Sequence, residues 1–180
     1  MGLHIVNVSI GGPDHGDRPF VDKFAELVAQ GVTLFASQGN SGPRWGTANN
    51  PADEHFAISV GAVSYDFNTV DFQAKGMTQH SPHTGYGLAK PDVTTFGLDI
   101  TSITREHKCK TSLGTSFSSP AVAGVAALLA STVPEKDRPR IVNPASIKQV
   151  GAPYTPLLFP FLSFPFLFFD VPQFHAHLNS

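Results

Sequence analysis

Residues Val32-Thr33-Leu34-Phe35-Ala36-Ser37-Gln38-Gly39-Asn40-Ser41-Gly42-Pro43 run a short apolar segment into a turn of Gly, Asn, Ser and Pro. Val32, Leu34 and Phe35 suit a strand covered on both faces, the environment of a parallel sheet. Upstream, Phe20, Val21, Phe24, Leu27 and Val28 repeat at helical spacing, with Asp17 and Pro19 near the start and Gly31 as the breaker past the end. Before that helix, Ile5-Val6-Asn7-Val8-Ser9-Ile10 reads as another strand, stopped by Gly11-Gly12-Pro13. Strand, helix and strand in succession make a βαβ unit, and the rhythm continues from Leu3 to Leu129, so the expected fold class is α/β with a parallel sheet. Open sheets of this kind place their chemistry at the carboxyl ends of the strands. The turns after Ile10 and after Ala36 are therefore the first places to look.

Downstream, Phe56 to Val63 reads as a buried strand, and Ser64 to Cys109 as loops with short strands, because Gly, Pro, Thr and Asp punctuate it every few residues. Thr115 to Ser131 is the strongest helical segment, rich in Ala with Val122, Val125, Leu128 and Leu129, and Pro120 lies in its first turns, where a missing N–H does least harm. Asn143-Pro144 predicts one more helix, with Asn as cap and Pro at the first helical position. The composition changes at Val150: residues 151–180 hold seven of the fifteen Phe and five of the fifteen Pro, with Asp170 the only charged side chain. The expected division is residues 1–150 as a folded unit and 151–180 as an apolar, irregular, poorly ordered tail. Val150 to Phe169 is twenty residues without a charge, long enough to span a bilayer, but Pro153, Pro156, Pro160 and Pro165 would interrupt a spanning helix and no basic residues flank it. Membrane contact is left open.

The chain has 180 residues, the size of one domain, with 41% apolar and 14% charged residues, a balance that supports a core and argues against disorder of the whole. A formal net charge of −2 supplies no basic stripe for a phosphate backbone, so no nucleic-acid partner is expected. Cys109 is the only cysteine, so it has no disulfide partner within the chain, and it reads as a structural thiol. His80 with His83, and His175 with His177, lack a third ligand at a suitable spacing, so no metal site is assigned and no cofactor is identified. Asn7-Val8-Ser9 fits a glycosylation acceptor, yet lies in a strand expected to be buried. His15-Gly16-Asp17 reads as a solvated loop.

Gly114-Thr115-Ser116-Phe117-Ser118-Ser119-Pro120 leads directly into the Ala/Val/Leu helix. A serine at a helix N-terminus has its Oγ at the positive end of the macrodipole, beside N–H groups lacking intrahelical partners, so an oxyanion formed there is stabilised. The same residues serve equally well as simple helix caps. Gly39-Asn40 offers an amide at a strand end that can donate to a developing negative charge, or an ordinary turn. Ser9-Ile10-Gly11-Gly12 offers a backbone edge for an extended peptide.

In combination and order these segments resemble the subtilisin-like serine proteases: a strand ending in Ser9-Ile10-Gly11-Gly12, a helix, a strand ending in Gly39-Asn40, and a Gly114-Thr115-Ser116 helix start, with Lys90-Pro91-Asp92-Val93 ahead of the last. Further likeness lies in Pro19-Phe20-Val21-Asp22-Lys23, Gly46 to Asp53, Gly85-Tyr86-Gly87 and Val142 to Ser146, and the match covers roughly positions 3–150. The resemblance implies a three-layer fold and a serine endopeptidase acting on protein or peptide substrates. In it Ser116 is the nucleophile and Asn40 an oxyanion donor with the Ser116 N–H. Ser9, Ile10 and Gly11 then form one substrate wall, and Ser37, Gln38 and Gly39 the other. It admits calcium, for which no site is assigned, and implies a secretory-pathway or Golgi membrane setting. Oligomeric state is not legible.

The family order is Asp, His, Asn, Ser, which would put the Asp and His ahead of the Ile5 strand, and no histidine here stands in a His-Gly-Thr setting. The expectation is a carboxyl-terminal part of a peptidase domain, without the first strands of the sheet and without a general base, and so inactive alone. A peptide-binding fragment without catalysis, or an incomplete gene product, is the alternative.

Overall fold

The computed structural model describes residues 2–78 and 87–150. Four strands, β1 (Ile5–Val8), β2 (Thr33–Ser37), β3 (Ile58–Val63) and β6 (Val93–Phe96), form one sheet in the order β1-β2-β3-β6, every neighbouring pair parallel. Two small antiparallel pairs accompany it, β4 (Gly76–Met77) with β5 (Ala89–Lys90), and β7 (Ile100–Ile103) with β8 (Cys109–Ser112). The helices are α1 (Arg18–Ala29), α2 (Thr115–Thr132), α3 (Arg138–Ile141) and α4 (Pro144–Val150).

Side-chain alternation along the strands decides which helix covers which face. Phe35, Ile58, Val60 and Val93 point to one side and pack with Val122, Ala123 and Ala126 of α2, joined by Ile5 and by Ile147 of α4. Leu34 and Ala36 point to the other, with Ala52 and Ala57, and receive Phe24 and Val28 of α1. The result is three layers, α1, sheet and α2, as the sequence predicts. Complete burial of β2 and β3 accounts for their near-continuous apolar runs. Gly31 ends α1 with φ +88°, a conformation only glycine adopts without cost. Asn143 caps α4 by accepting the Ser146 N–H at 3.0 Å, as Asn-Pro predicts.

Several expectations need correction. β1 is an edge strand and only partly buried; Asn7 is exposed, because no strand lies beyond it among the described residues. Within Ser64–Cys109, β6 is a full member of the parallel sheet; its Val-Thr-Thr-Phe sequence is less apolar than β2 or β3. Cys109 is exposed on β8, so it is no packed structural thiol. The 3₁₀ turn Glu135–Asp137 and α3 have no counterpart in the expected pattern. The tail 151–180, His80, His83, His175, His177, Gly85 and Tyr86 lie outside the described residues.

Candidate active site

α2 begins at the carboxyl end of the sheet because its first turn is bonded to three strand ends. The Gly114 N–H donates to the Gly97 carbonyl at 2.8 Å, just past β6. Ser118 Oγ donates to the Phe96 carbonyl at 3.1 Å, and Ser119 Oγ to Asn7 Oδ1 of β1 at 2.6 Å. Both hydroxyls are fully buried, which explains two of the serines in the Thr-Ser-Phe-Ser-Ser run as anchors. Ser116 is only partly buried and makes no such bond.

The junction of β2 with α2 is tighter still. Thr115 is buried, and its Oγ1 accepts the Gly39 N–H at 3.1 Å while donating to Asn40 Oδ1 at 3.0 Å. The Thr115 N–H donates to that same Asn40 oxygen at 2.9 Å. Two donors on Oδ1 fix which way the Asn40 amide faces: its NH₂ group points away from Thr115, toward Gly114 and Ser116. A Cβ built on Gly114 would lie 3.1 Å from Asn40 Nδ2 and 3.1 Å from Ser116 Oγ, so the two polar atoms converge and are separated by no more than twice that distance. A carbonyl group spans such a gap with its carbon toward the hydroxyl and its oxygen toward the amide. Gly114 has φ +140°, and the absence of a side chain keeps the space between the two groups clear. Ser116 is the second residue of α2, so its own N–H has no intrahelical acceptor and is available to the same oxygen.

The predicted substrate walls meet at Asn49 and Asn50. Gly12 and Asn50 exchange backbone hydrogen bonds at 3.2 and 2.8 Å, and the Asn49 N–H donates to the Gln38 carbonyl at 2.9 Å. A Cβ on Gly39 would come within 2.8 Å of the Asn49 side chain, and one on Gly11 within 3.2 Å of Asn49 Cβ, so both glycines are required by close approach. Ile10 is exposed and Ser9 accepts a bond from Asn7 Nδ2 at 2.9 Å. Ser37 and Gln38 are 5% and 0% exposed and Gly39 is buried too, so their side of the wall is supported from behind and the surface there starts at Asn40. The burial of Gln38 follows from β2 being central, with its side chain bonded to Ser59 of β3.

The structure also gives some residues roles that the sequence reading did not assign to them. Thr115 is one; the signal was its position between a glycine and the candidate serine. His15 is another: it does not simply lie in a solvated loop, since Nδ1 sits 2.9 Å from the carboxylate of fully buried Asp53 and ties the loop after Gly12 to the turn after Asn50. At the opposite end of the sheet, Lys90 is buried and donates to the Ala57 carbonyl at 2.9 Å and to Asp92 Oδ2 at 2.7 Å. Asp92 Oδ2 also accepts the Ser59 N–H. Burial pulls the Lys90 ammonium down to about 8 against the opposing pull of Asp92, and Lys148 adds to the lowering. This cluster clamps the amino ends of β3 and β6 and lies away from Ser116. Among the described residues no three His, Cys, Asp or Glu side chains gather to hold a metal ion, and no helix is long and apolar enough to cross a membrane.

The sequence profile of the Subtilase family, Peptidase S8, matches residues 1–151. The chain belongs to the subtilase family. This subtilase chain is similar to subtilisin-like protease SBT6.1 of Arabidopsis thaliana, 45% identical over 148 residues that cover 82% of this chain and 14% of the relative. It is 44% identical to the human membrane-bound transcription factor site-1 protease over 147 residues, again 82% of this chain and 14% of the relative. Among solved structures it resembles the self-cleaved protease domain of PatA, with a TM-score of 0.65, 27% identity, and coverage of 83% of this chain and 52% of that one. The chain thus spans about one seventh of the length of those two sequence relatives. Family and fold agree with the expectation from sequence.

Proposed function

We propose that this chain carries the nucleophile and oxyanion site of a serine endopeptidase that processes protein precursors. Ser116 Oγ attacks the scissile carbonyl carbon; the negative charge moves to the carbonyl oxygen, which receives hydrogen bonds from Asn40 Nδ2 and the Ser116 N–H. The carbon–nitrogen bond then breaks, the amine leaves with the proton taken from the serine, and water hydrolyses the resulting ester. The extended substrate pairs with the edge at Ser9–Gly12. The observation that carries this reading is the pair of hydrogen bonds from Thr115 to Asn40 Oδ1, which turns the amide NH₂ toward the space beside Gly114 and Ser116.

The step needs a base. Of the described histidines, His4, His15, His55 and His107, none hydrogen-bonds Ser116; His15 is engaged with Asp53. The base therefore comes from outside the described residues, and with no histidine of the chain in a His-Gly-Thr setting we expect residues 1–180 by themselves to turn over no peptide at a useful rate. The likeness to a protease named for membrane-bound transcription factors supports a secretory-pathway membrane setting.

Fluorophosphonate labelling tests the reading. Residues 1–180 should be labelled at Ser116 only, slowly, and faster on adding imidazole as an external base, with loss of label in Ser116→Ala. Labelling elsewhere, or none even with imidazole, favours the peptide-binding reading without catalysis. Rapid peptide hydrolysis by this chain, abolished by Ser116→Ala, would refute the missing base.

A further inference from the structure

One side-chain contact beside the proposed cleft takes no part in the reaction described above. On the loop that leaves the Ser9–Gly12 edge for α1, His15 is the one residue between Pro13 and Pro19 that is not exposed. Its Nδ1 lies 2.9 Å from Asp53 Oδ2, with side-chain exposures of 21% and 0%. Asp53 Oδ1 is buried without a hydrogen-bond partner, so among the described residues His15 is what this carboxyl group has in exchange for water. Burying such a group is costly, and taking its partner away costs more. Asp53 is in turn joined to the cleft through its backbone. Its N–H donates to the Asn49 carbonyl at 3.0 Å, and the Asn49 N–H donates to the Gln38 carbonyl at 2.9 Å. Asn49 lies between the two proposed walls, since a Cβ on Gly39 would come within 2.8 Å of its side chain and one on Gly11 within 3.2 Å of its Cβ.

We propose that His15 is a positioning residue for extended substrates: by holding Asp53 it sets the distance between the Ser9–Gly11 wall and the Gly39 wall, with Asn49 as the spacer between them. The inference rests on the reading of those segments as substrate walls. The Gly12–Asn50 backbone pair is the first tie between the edge and the turn that carries Asn49, and the His15–Asp53 bond is the second, three residues further along each strand of chain. One tie leaves the edge free to pivot about it, and two fix its angle. Asn40 and Ser116 are held by different bonds, those of Thr115, so the angle of the edge can change while the hydroxyl and amide stay in place. A peptide that pairs along Ser9–Gly12 feels such a change, because a misplacement of about 1 Å is enough to spoil a reacting geometry. A reagent that meets Ser116 and Asn40 alone does not. His15 thereby favours peptides long enough to lie along the edge over short ones.

The test compares two reagents on the full chain with imidazole present: a small alkyl fluorophosphonate, and a phosphonate carrying a short peptide on the amino side of its phosphorus. His15→Ala should slow the peptidyl reagent at least about tenfold relative to the alkyl one and leave the alkyl rate within about twofold. His15→Asn, whose amide nitrogen takes the place of Nδ1, should recover most of that ratio. A merely structural role would lower both rates together; that result, an unchanged ratio, or an Asn variant no better than Ala would overturn the proposal. Hydrogen exchange gives a second reading that does not depend on Ser116: in His15→Ala the Gly12, Asn49 and Asn50 amides should lose protection while the Thr115 amide keeps it. If neither reagent labels the unaltered chain, the serine reading fails, and the exchange result decides the role of His15 by itself, with unchanged protection at those three amides overturning it.

Discussion

The two ends of α2's first turn differ in what holds them. Toward β2, Thr115 is locked by two hydrogen bonds to Asn40 and one from Gly39, across 75 or 76 residues of sequence, and is sealed from solvent. Toward β1, the tie is the single bond from Ser119 to Asn7 on a strand whose outer edge is open among the described residues. Beyond Ser119, Pro120, Ala121, Gly124, Ala127 and Leu128 are exposed although the helix is apolar on all sides, the composition of a helix buried all round. The comparison teaches that the hydroxyl and amide assigned to the proposed site are held firmly by β2, while the β1 side is held by one bond at a strand whose outer edge is open among the described residues.

The largest effect expected from breaking the locked side is that of Asn40→Ala. Removing the donor should slow imidazole-assisted labelling of Ser116 by on the order of a hundredfold, comparable with the loss known for an oxyanion donor in subtilisin, a member of the same family. Thr115→Val keeps the shape and removes the hydroxyl. It leaves the Asn40 amide held only by the backbone N–H at position 115 and leaves the Gly39 N–H buried without a partner, so labelling should fall by up to about tenfold and stability by roughly 1–3 kcal/mol, with Thr115→Ser restoring both. Rates by mass spectrometry and stability by denaturant titration read the two effects separately. On the open side, Ser119→Ala should cost only about 1 kcal/mol and leave the labelling rate within about twofold, because its bond holds β1 and not Asn40.

A pH-dependent effect belongs to the far end of the sheet. The Lys90 pKa is about 8 in the folded chain and 10.5 in the reference state. Between those values the unfolded chain binds the extra proton, so stability rises with pH from about 8 to 10.5, and the cost of the buried ammonium is fully present below 8. Denaturant midpoints should climb across that window, and Lys90→Met should flatten the climb. His55, held below its usual value first by burial and then by Lys148 and Lys90, adds a slighter loss of stability as pH falls below 6.5.

Much of this was legible in the sequence because it depends on local chemistry. The runs at β2 and β3, the Gly31 stop, the Asn143 cap and the Gly114-Thr115-Ser116 helix start all report conformations set by neighbouring residues. What escaped depends on distant pairing. Nothing near His15 announces buried Asp53, and nothing near Thr115 announces Asn40, because each contact is made only when the sheet is assembled. The burial of Ser37 and Gln38 escaped for the same reason: their strand is central only once β1 and β3 flank it. Asn7 erred in the opposite direction, since an apolar strand does not say whether it has a neighbour on both sides.

The most direct measurement is the rate of fluorophosphonate attachment to Ser116 in the unaltered chain and in Asn40→Ala, side by side with imidazole present. The account predicts a label confined to Ser116 in the first and about a hundredfold slower attachment in the second. Equal rates in the two proteins would contradict it, since Asn40 would then be a turn residue and Ser116 a cap.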